Sequence, residues 1–147
     1  MRFIVTARPA ENTPAPDPNA PFNEELFKAY MKFNEDLFKA GVLVASEGLN
    51  PNGGGASVVV KKGRRVLHDG PFAESKELVG GFYVLEVPTL QDAIDWMLKA
   101  PSGMGFDDVY DIRPLTGAGD LPPFITDLIA KSAPEWSASF LKDRNKI

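Results

Sequence analysis

Apolar positions recur at helical spacing between residues 22 and 38. Leu26, Tyr30, Phe33 and Leu37 stand four, three and four apart, one stripe of an α-helix, and Phe27, Met31 and Phe38 widen it. Asn23 stands where a cap is needed, and Glu24 and Glu25 complement the positive end of the dipole. Phe22 and Phe27 have the spacing of a hydrophobic staple, and Gly41 suits a left-handed stop. A second helix is predicted from Thr89, with Asp92 completing the cap and Leu90, Ala93, Ile94, Trp96, Met97 and Leu98 turned to the core. Pro101 limits its length.

Between and around these helices the pattern switches to short β-branched and apolar runs at residues 2–7, 42–47, 57–61, 64–68, 81–87 and 107–113. Lys62-Gly63 separates two of them by two residues, the spacing of a tight hairpin, while Pro88 and Pro114 close two others. The predicted order is β-α-β, an inserted hairpin, then β-α-β, an α+β fold of the ferredoxin-like plan βαββαβ. Both helices then cover one face of the sheet. The other face needs a cover, and a second copy of the chain, a homodimer, supplies it most economically.

Residues 10–21 carry repeated prolines and read as a loop. Beyond Leu115 the character changes. Residues 116–122 form a Gly and Pro linker, and 123–131 and 134–142 read as short helices that expose Phe124, Leu128 and Ile129. The expected organisation is a domain over 1–115 and a C-terminal extension over 116–147 that packs on the body or on a partner subunit, because such apolar groups are poorly placed in water.

Composition narrows the chemistry more than it names it. The 147 residues, 44% hydrophobic and 24% charged, suit one soluble domain. There is no cysteine and one histidine, His68, which excludes thiolate metal sites, Fe–S clusters, cysteine nucleophiles and multi-histidine metal centres. A net charge of −4 gives nucleic acid no electrostatic footprint. The first residues carry too short an apolar run for a secretion signal or a membrane span, so the expected location is the cytoplasm. Gly53 to Gly55 lack the lysine and spacing of nucleotide-binding loops and read as a plain loop, and the acid-base chemistry considered below requires neither a metal nor an organic cofactor.

The densest local signal is His68-Asp69-Gly70-Pro71-Phe72-Ala73-Glu74-Ser75-Lys76-Glu77-Leu78-Val79-Gly80-Gly81-Phe82-Tyr83. Two readings stand for Asp69: a carboxylate that pins the Gly-Pro turn, or a general acid or base at a cleft mouth, its pKa lifted by the dry surface of Phe72. His68 is the second catalytic candidate, although neighbours in a strand point to opposite faces and a His-Asp pair requires the strand to end at His68. Glu74 and Lys76 converge on a bound group if their segment turns, or else form a solvated loop with weak ion pairs. Glu47 and Arg113 each end a predicted strand. Arg113 suits a carboxylate clamp, and the two are equally suited to pair with each other or with Asp111 as scaffold.

The run DGPFAESKELVGGFY resembles the signature of the DGPF branch of the YCII-related proteins, with Ser75 where the family usually has Thr. Ala40-Gly41-Val42-Leu43, Glu47-Gly48-Leu49 and Asp111-Ile112-Arg113-Pro114 extend the likeness over residues 1–115. The resemblance implies a dimeric α+β barrel, two ferredoxin-like sheets facing each other with a cleft in each subunit. It implies no settled activity: related barrels include lactone isomerases and cofactor-free monooxygenases, and family members are sometimes encoded beside sigma factors. Two functions therefore stand: a small-molecule-binding protein with cofactor-free acid-base chemistry, or a non-catalytic accessory protein linked to transcription control.

Overall fold

The computed structural model describes residues 1–11, 13, 14, 17, 19–50, 55–69, 79–102 and 107–142. Its elements run β1 (Arg2–Pro9), α1 (Glu24–Lys39), β2 (Leu43–Gly48), β3 (Ala56–Lys61), β4 (Arg64–Asp69), β5 (Gly81–Glu86), α2 (Leu90–Met97), β6 (Asp108–Pro114), α3 (Pro123–Ser132) and α4 (Pro134–Lys142). β2, β5, β1 and β6 form a four-stranded sheet in that order, each neighbour antiparallel. This is the ferredoxin-like arrangement, and β3 and β4 form the inserted hairpin as a separate two-stranded sheet.

The local signals act as their chemistry dictates. The Asn23 side chain accepts the Leu26 N–H at 3.0 Å, and the Phe22 and Phe27 rings meet at 5.6 Å as a staple. Thr89 and Asp92 form a reciprocal capping box. Gly41 has φ +71°, and the Lys62-Gly63 turn has φ of +48° and +76°, the geometry that matches the twist of a two-residue hairpin.

Register assigns the two faces of the sheet. Phe3 lies opposite Leu85, and Val5 lies between Tyr83 and Ile112. These residues face the helices, where Val5, Leu85, Tyr83, Phe33, Leu37 and Met97 make the main core and Phe3, Val87 and Ala93 a second cluster. By alternation the opposite face carries Ile4, Thr6, Phe82, Val84, Val109, Asp111 and Arg113.

Neither helix buries all of its predicted stripe. In α1, Phe33 and Leu37 are buried and Leu26 and Tyr30 half-buried, but Phe27, Met31 and Phe38 are exposed. In α2, Ala93 and Met97 are buried, while Leu90 and Leu98 are exposed. A helix lying on one sheet face contacts it along a narrow strip, so Phe38, about 100° from Leu37, and Leu98, about 100° from Met97, stay outside, whereas Leu90 is in line with Met97 but stands at the first residue of α2. α3 exposes Phe124 and Leu128 as expected, whereas Ile129 is half-buried.

Candidate functional site

The core ends where its side chains run out. One row beyond Val5, Tyr83 and Ile112, the strands place Ala7 opposite Gly81 on one side and Tyr110 on the other. The two central strands thus carry a methyl group and a hydrogen atom where the preceding rows carry large side chains. α1 begins above this point, and a cleft of about 540 Å³ opens between its first turns and the end of the sheet. Ala7, Pro9, Gly80, Tyr83, Asp108 and Tyr110 line it from the sheet, and Phe22, Asn23, Leu26, Phe27 and Tyr30 from the helix side.

Gly81 is required by its neighbour strand. A Cβ there would lie 2.8 Å from the Glu47 carbonyl oxygen and 3.3 Å from the Gly48 Cα. β2 can approach β5 at this level only because no side chain intervenes.

All three tyrosines of the chain line this cleft. The Tyr30 hydroxyl donates to the Pro101 carbonyl at 3.1 Å and lies 3.4 Å from the Tyr110 hydroxyl. A carbonyl only accepts, so Tyr30 spends its single proton there and Tyr110 donates to Tyr30. The Tyr110 oxygen keeps its lone pairs for another donor. Burial, reinforced by the hydrogen bond to Tyr30, holds the Tyr110 phenol protonated far above the ordinary tyrosine range. Burial also raises Tyr83, against the pull of a hydrogen bond with Ser46.

Asp108 is the one carboxylate among the described residues that line the cleft. It shares the helix-facing side of β6 with Tyr110, two residues along the strand. Partial burial pushes its pKa above the ordinary carboxyl value; a backbone hydrogen bond opposes the shift and the charge of Asp107 adds to it. Arg8 borders the cleft, but its guanidinium is held by Asp111 at 2.7 Å. Both residues belong to the opposite face of the sheet by alternation.

The residues singled out from the sequence are distributed differently. Glu47 is exposed on β2 and Arg113 exposed on β6, the two edge strands of the sheet. Three strand spacings, about 14 Å, separate those strands, so Glu47 and Arg113 do not pair with each other. Asp111 takes Arg8 as its partner in place of Arg113. Neither Glu47 nor Arg113 lines the cleft. β4 continues through Asp69, opposite Ala56, so the strand does not end at His68. The side chains of His68 and Asp69, and all of Phe72, Glu74 and Lys76, lie outside the described residues. The signature nevertheless touches the site through its last residues, since Gly80 lines the cleft and donates its N–H to the Ala7 carbonyl at 2.8 Å.

Asp108, Tyr110 and Tyr30 escaped sequence reasoning as a group. Tyr30 fits a core stripe, and the β6 residues are ordinary strand positions; only the seating of α1 on the sheet brings them to one place. Among the described residues no group of three or more His, Asp or Glu side chains is arranged to hold a metal ion.

The YCII-related domain model matches residues 1–116, most of the chain. The chain belongs to the YCII-related family. An uncharacterised protein of Rhizobium meliloti (strain 1021) is 33% identical to this YCII-related chain over 85 residues, covering 56% of this chain and 68% of its own. Among solved structures, 5-chloro-2-hydroxyhydroquinone dehydrochlorinase (TftG) from Burkholderia phenoliruptrix, in complex with 2,5-dihydroxybenzoquinone, is similar over 83% of this chain and 100% of its own. The identity is 11% and the TM-score 0.37.

Proposed function

We propose that this YCII-related protein binds a small organic molecule in the cleft between the start of α1 and the end of the sheet. The observation that carries this reading is that Ala7 and Gly80, which bring almost no side-chain volume, line a space around which three phenols and Asp108 gather. A largely apolar pocket with a few convergent polar groups is the usual form of a small-molecule site. If chemistry follows binding, it is acid-base chemistry without a cofactor. Asp108, with its raised pKa, then joins Asp69 and His68 as a proton-transfer candidate, and Glu74, Lys76 and Phe72 remain candidates for orienting the ligand from the signature segment.

The proposed assembly is a cytoplasmic homodimer. It is supported by the apolar positions Ile4, Phe82, Val84 and Val109 on the sheet face away from the helices, and by the absence of cysteine. Among the described residues no helix is long and apolar enough to cross a membrane. The extension over 116–147 is proposed to pack on the body or on the partner subunit. A second reading, an accessory protein acting through a protein partner, is favoured by Phe124 and Leu128, exposed at 68% and 57% on α3. Light scattering of the intact chain and of one ended after Leu115 tests the assembly: a monomer at micromolar concentration overturns the dimer.

The cleft reading is tested by a thermal-shift screen of a metabolite library against the wild type and Ala7→Leu, whose side chain enters the cleft. At least one compound is expected to raise the wild-type Tm and lose that effect in the variant. Compounds that stabilise both proteins equally, or none that stabilise the wild type, overturn it.

A further inference from the structure

The polar groups of the cleft are unequal in what they still have to offer. Arg8, the one lysine or arginine among the described residues that border it, is turned to the other face of the sheet and held there by Asp111 at 2.7 Å. The Asn23 side-chain oxygen is committed to the Leu26 N–H. Tyr30 has given its proton to Pro101, and Tyr110 gives its own to Tyr30. The Tyr110 oxygen keeps acceptor capacity, and so does the Asp108 carboxylate beyond the backbone hydrogen bond it accepts; the donors left on the wall, the Asn23 amide and the Tyr83 hydroxyl, are neutral, so Asp108 alone among these groups brings a charge.

Charge around the mouth points the same way. Asp107 and Asp108 follow one another at the entry to β6, and no lysine or arginine among the described residues pairs with either. Glu11 lies close enough to act on Arg8, which adds a further negative charge to that rim. The positive end of the α1 dipole opposes this, at about half an elementary charge. It is outweighed locally, because Glu24 and Glu25 in the first turn share the single Lys28, at 2.6 and 3.6 Å.

The walls are aromatic. Phe22 and Phe27 stand on the helix side with Tyr30, and Tyr83 and Tyr110 on the sheet side. Ring faces carry negative charge density and attract cations, while an anion gains nothing from them. A carboxylate, an acceptor phenol and several ring faces in one half-enclosed space together form a receptor for positive charge on an organic body.

We propose that the cleft selects small organic ammonium ions, with the charged nitrogen held at Asp108 and Tyr110 and the apolar part against Phe22 and Phe27. The proposal rests on the cleft reading above and adds the sign of the ligand's charge. An ammonium group donates to both free acceptors; an alcohol donates only once, and a carboxylate meets Asp108 with like charge.

Three probes of nearly equal shape isolate the charge: benzylammonium, benzyl alcohol and benzoate. Calorimetric titration of the wild-type protein at neutral pH and low salt is expected to give benzylammonium at least about ten-fold tighter than benzyl alcohol, and benzoate weakest. Asp108→Asn should remove the advantage of benzylammonium over benzyl alcohol. Equal binding of all three probes, or a preference for benzoate, overturns the cation proposal and leaves the cleft standing. Binding of benzylammonium that survives unchanged in Ala7→Leu places the ion elsewhere on an acidic surface and overturns it as well. If none of the three binds, the cation proposal falls, while the library screen judges the cleft independently.

Discussion

The hydroxyls of Tyr30 and Tyr110 lie 3.4 Å apart although 80 residues separate them in the chain. α1 supplies one and the edge strand β6 the other, so their contact reports how the helix is seated on the sheet. The pair also has a direction, from Tyr110 through Tyr30 to the Pro101 carbonyl, which ties the segment after α2 to both elements.

That direction makes the two tyrosines unequal. Tyr30→Phe leaves both the Pro101 carbonyl and the Tyr110 hydroxyl without partners, whereas Tyr110→Phe removes only a donor to Tyr30. Urea unfolding is expected to show a loss of about 1–3 kcal/mol for Tyr30→Phe and about 1 kcal/mol or less for Tyr110→Phe. Equal losses, or the reverse order, would show that Tyr30 does not occupy the middle of the relay.

The raised pKa of Asp108 implies a pH dependence of stability whose sign follows from proton counting. Between the ordinary value of 3.8 and the raised folded value, the native chain holds the Asp108 proton more often than the unfolded chain does. Stability from this group is therefore greatest below 3.8 and falls as pH rises through that window. The stability of Asp108→Asn relative to wild type should climb across the window and then level off. Urea midpoints of both proteins at a series of pH values measure it; a flat or falling difference refutes the assignment.

Gly80 and Gly81 are adjacent but not equivalent. A Cβ at Gly81 meets the Glu47 carbonyl oxygen at 2.8 Å, whereas one at Gly80 finds its nearest atom, the Ala7 carbonyl oxygen, at 3.8 Å. Gly81→Ala is expected to cost about 1–3 kcal/mol through displacement of β2. Gly80→Ala should stay within about 0.5 kcal/mol of wild type. Similar losses at both positions in denaturant unfolding would remove the steric account of Gly81.

Much of the fold was legible in the chain because its signals are local. Asn23, Thr89 with Asp92, Gly41 and Lys62-Gly63 each act on backbone within a few residues, and the structure places caps and turns where they stand. The alternation of strands and helices then admits few topologies, and the ferredoxin-like order follows. Helix faces were less legible: periodicity marks every apolar residue near a stripe, but the area of the sheet decides that Phe33 and Leu37 are buried and Phe27 and Phe38 are not.

By itself the sequence determined the elements, the α+β class and membership of a family, since these depend on short-range backbone chemistry and on an ordered run of residues. Only the tertiary structure decided where a cleft exists and what lines it. A cleft is a shortage of side-chain volume across segments that are distant in sequence, and neither Ala7 nor Gly80 announces it alone. A hydrogen bond from the Gly80 N–H to the Ala7 carbonyl holds those two side by side, register and the seating of α1 bring Asp108, Tyr110 and Tyr30 to one end of the sheet, and strand order leaves Glu47 and Arg113 on its opposite edges.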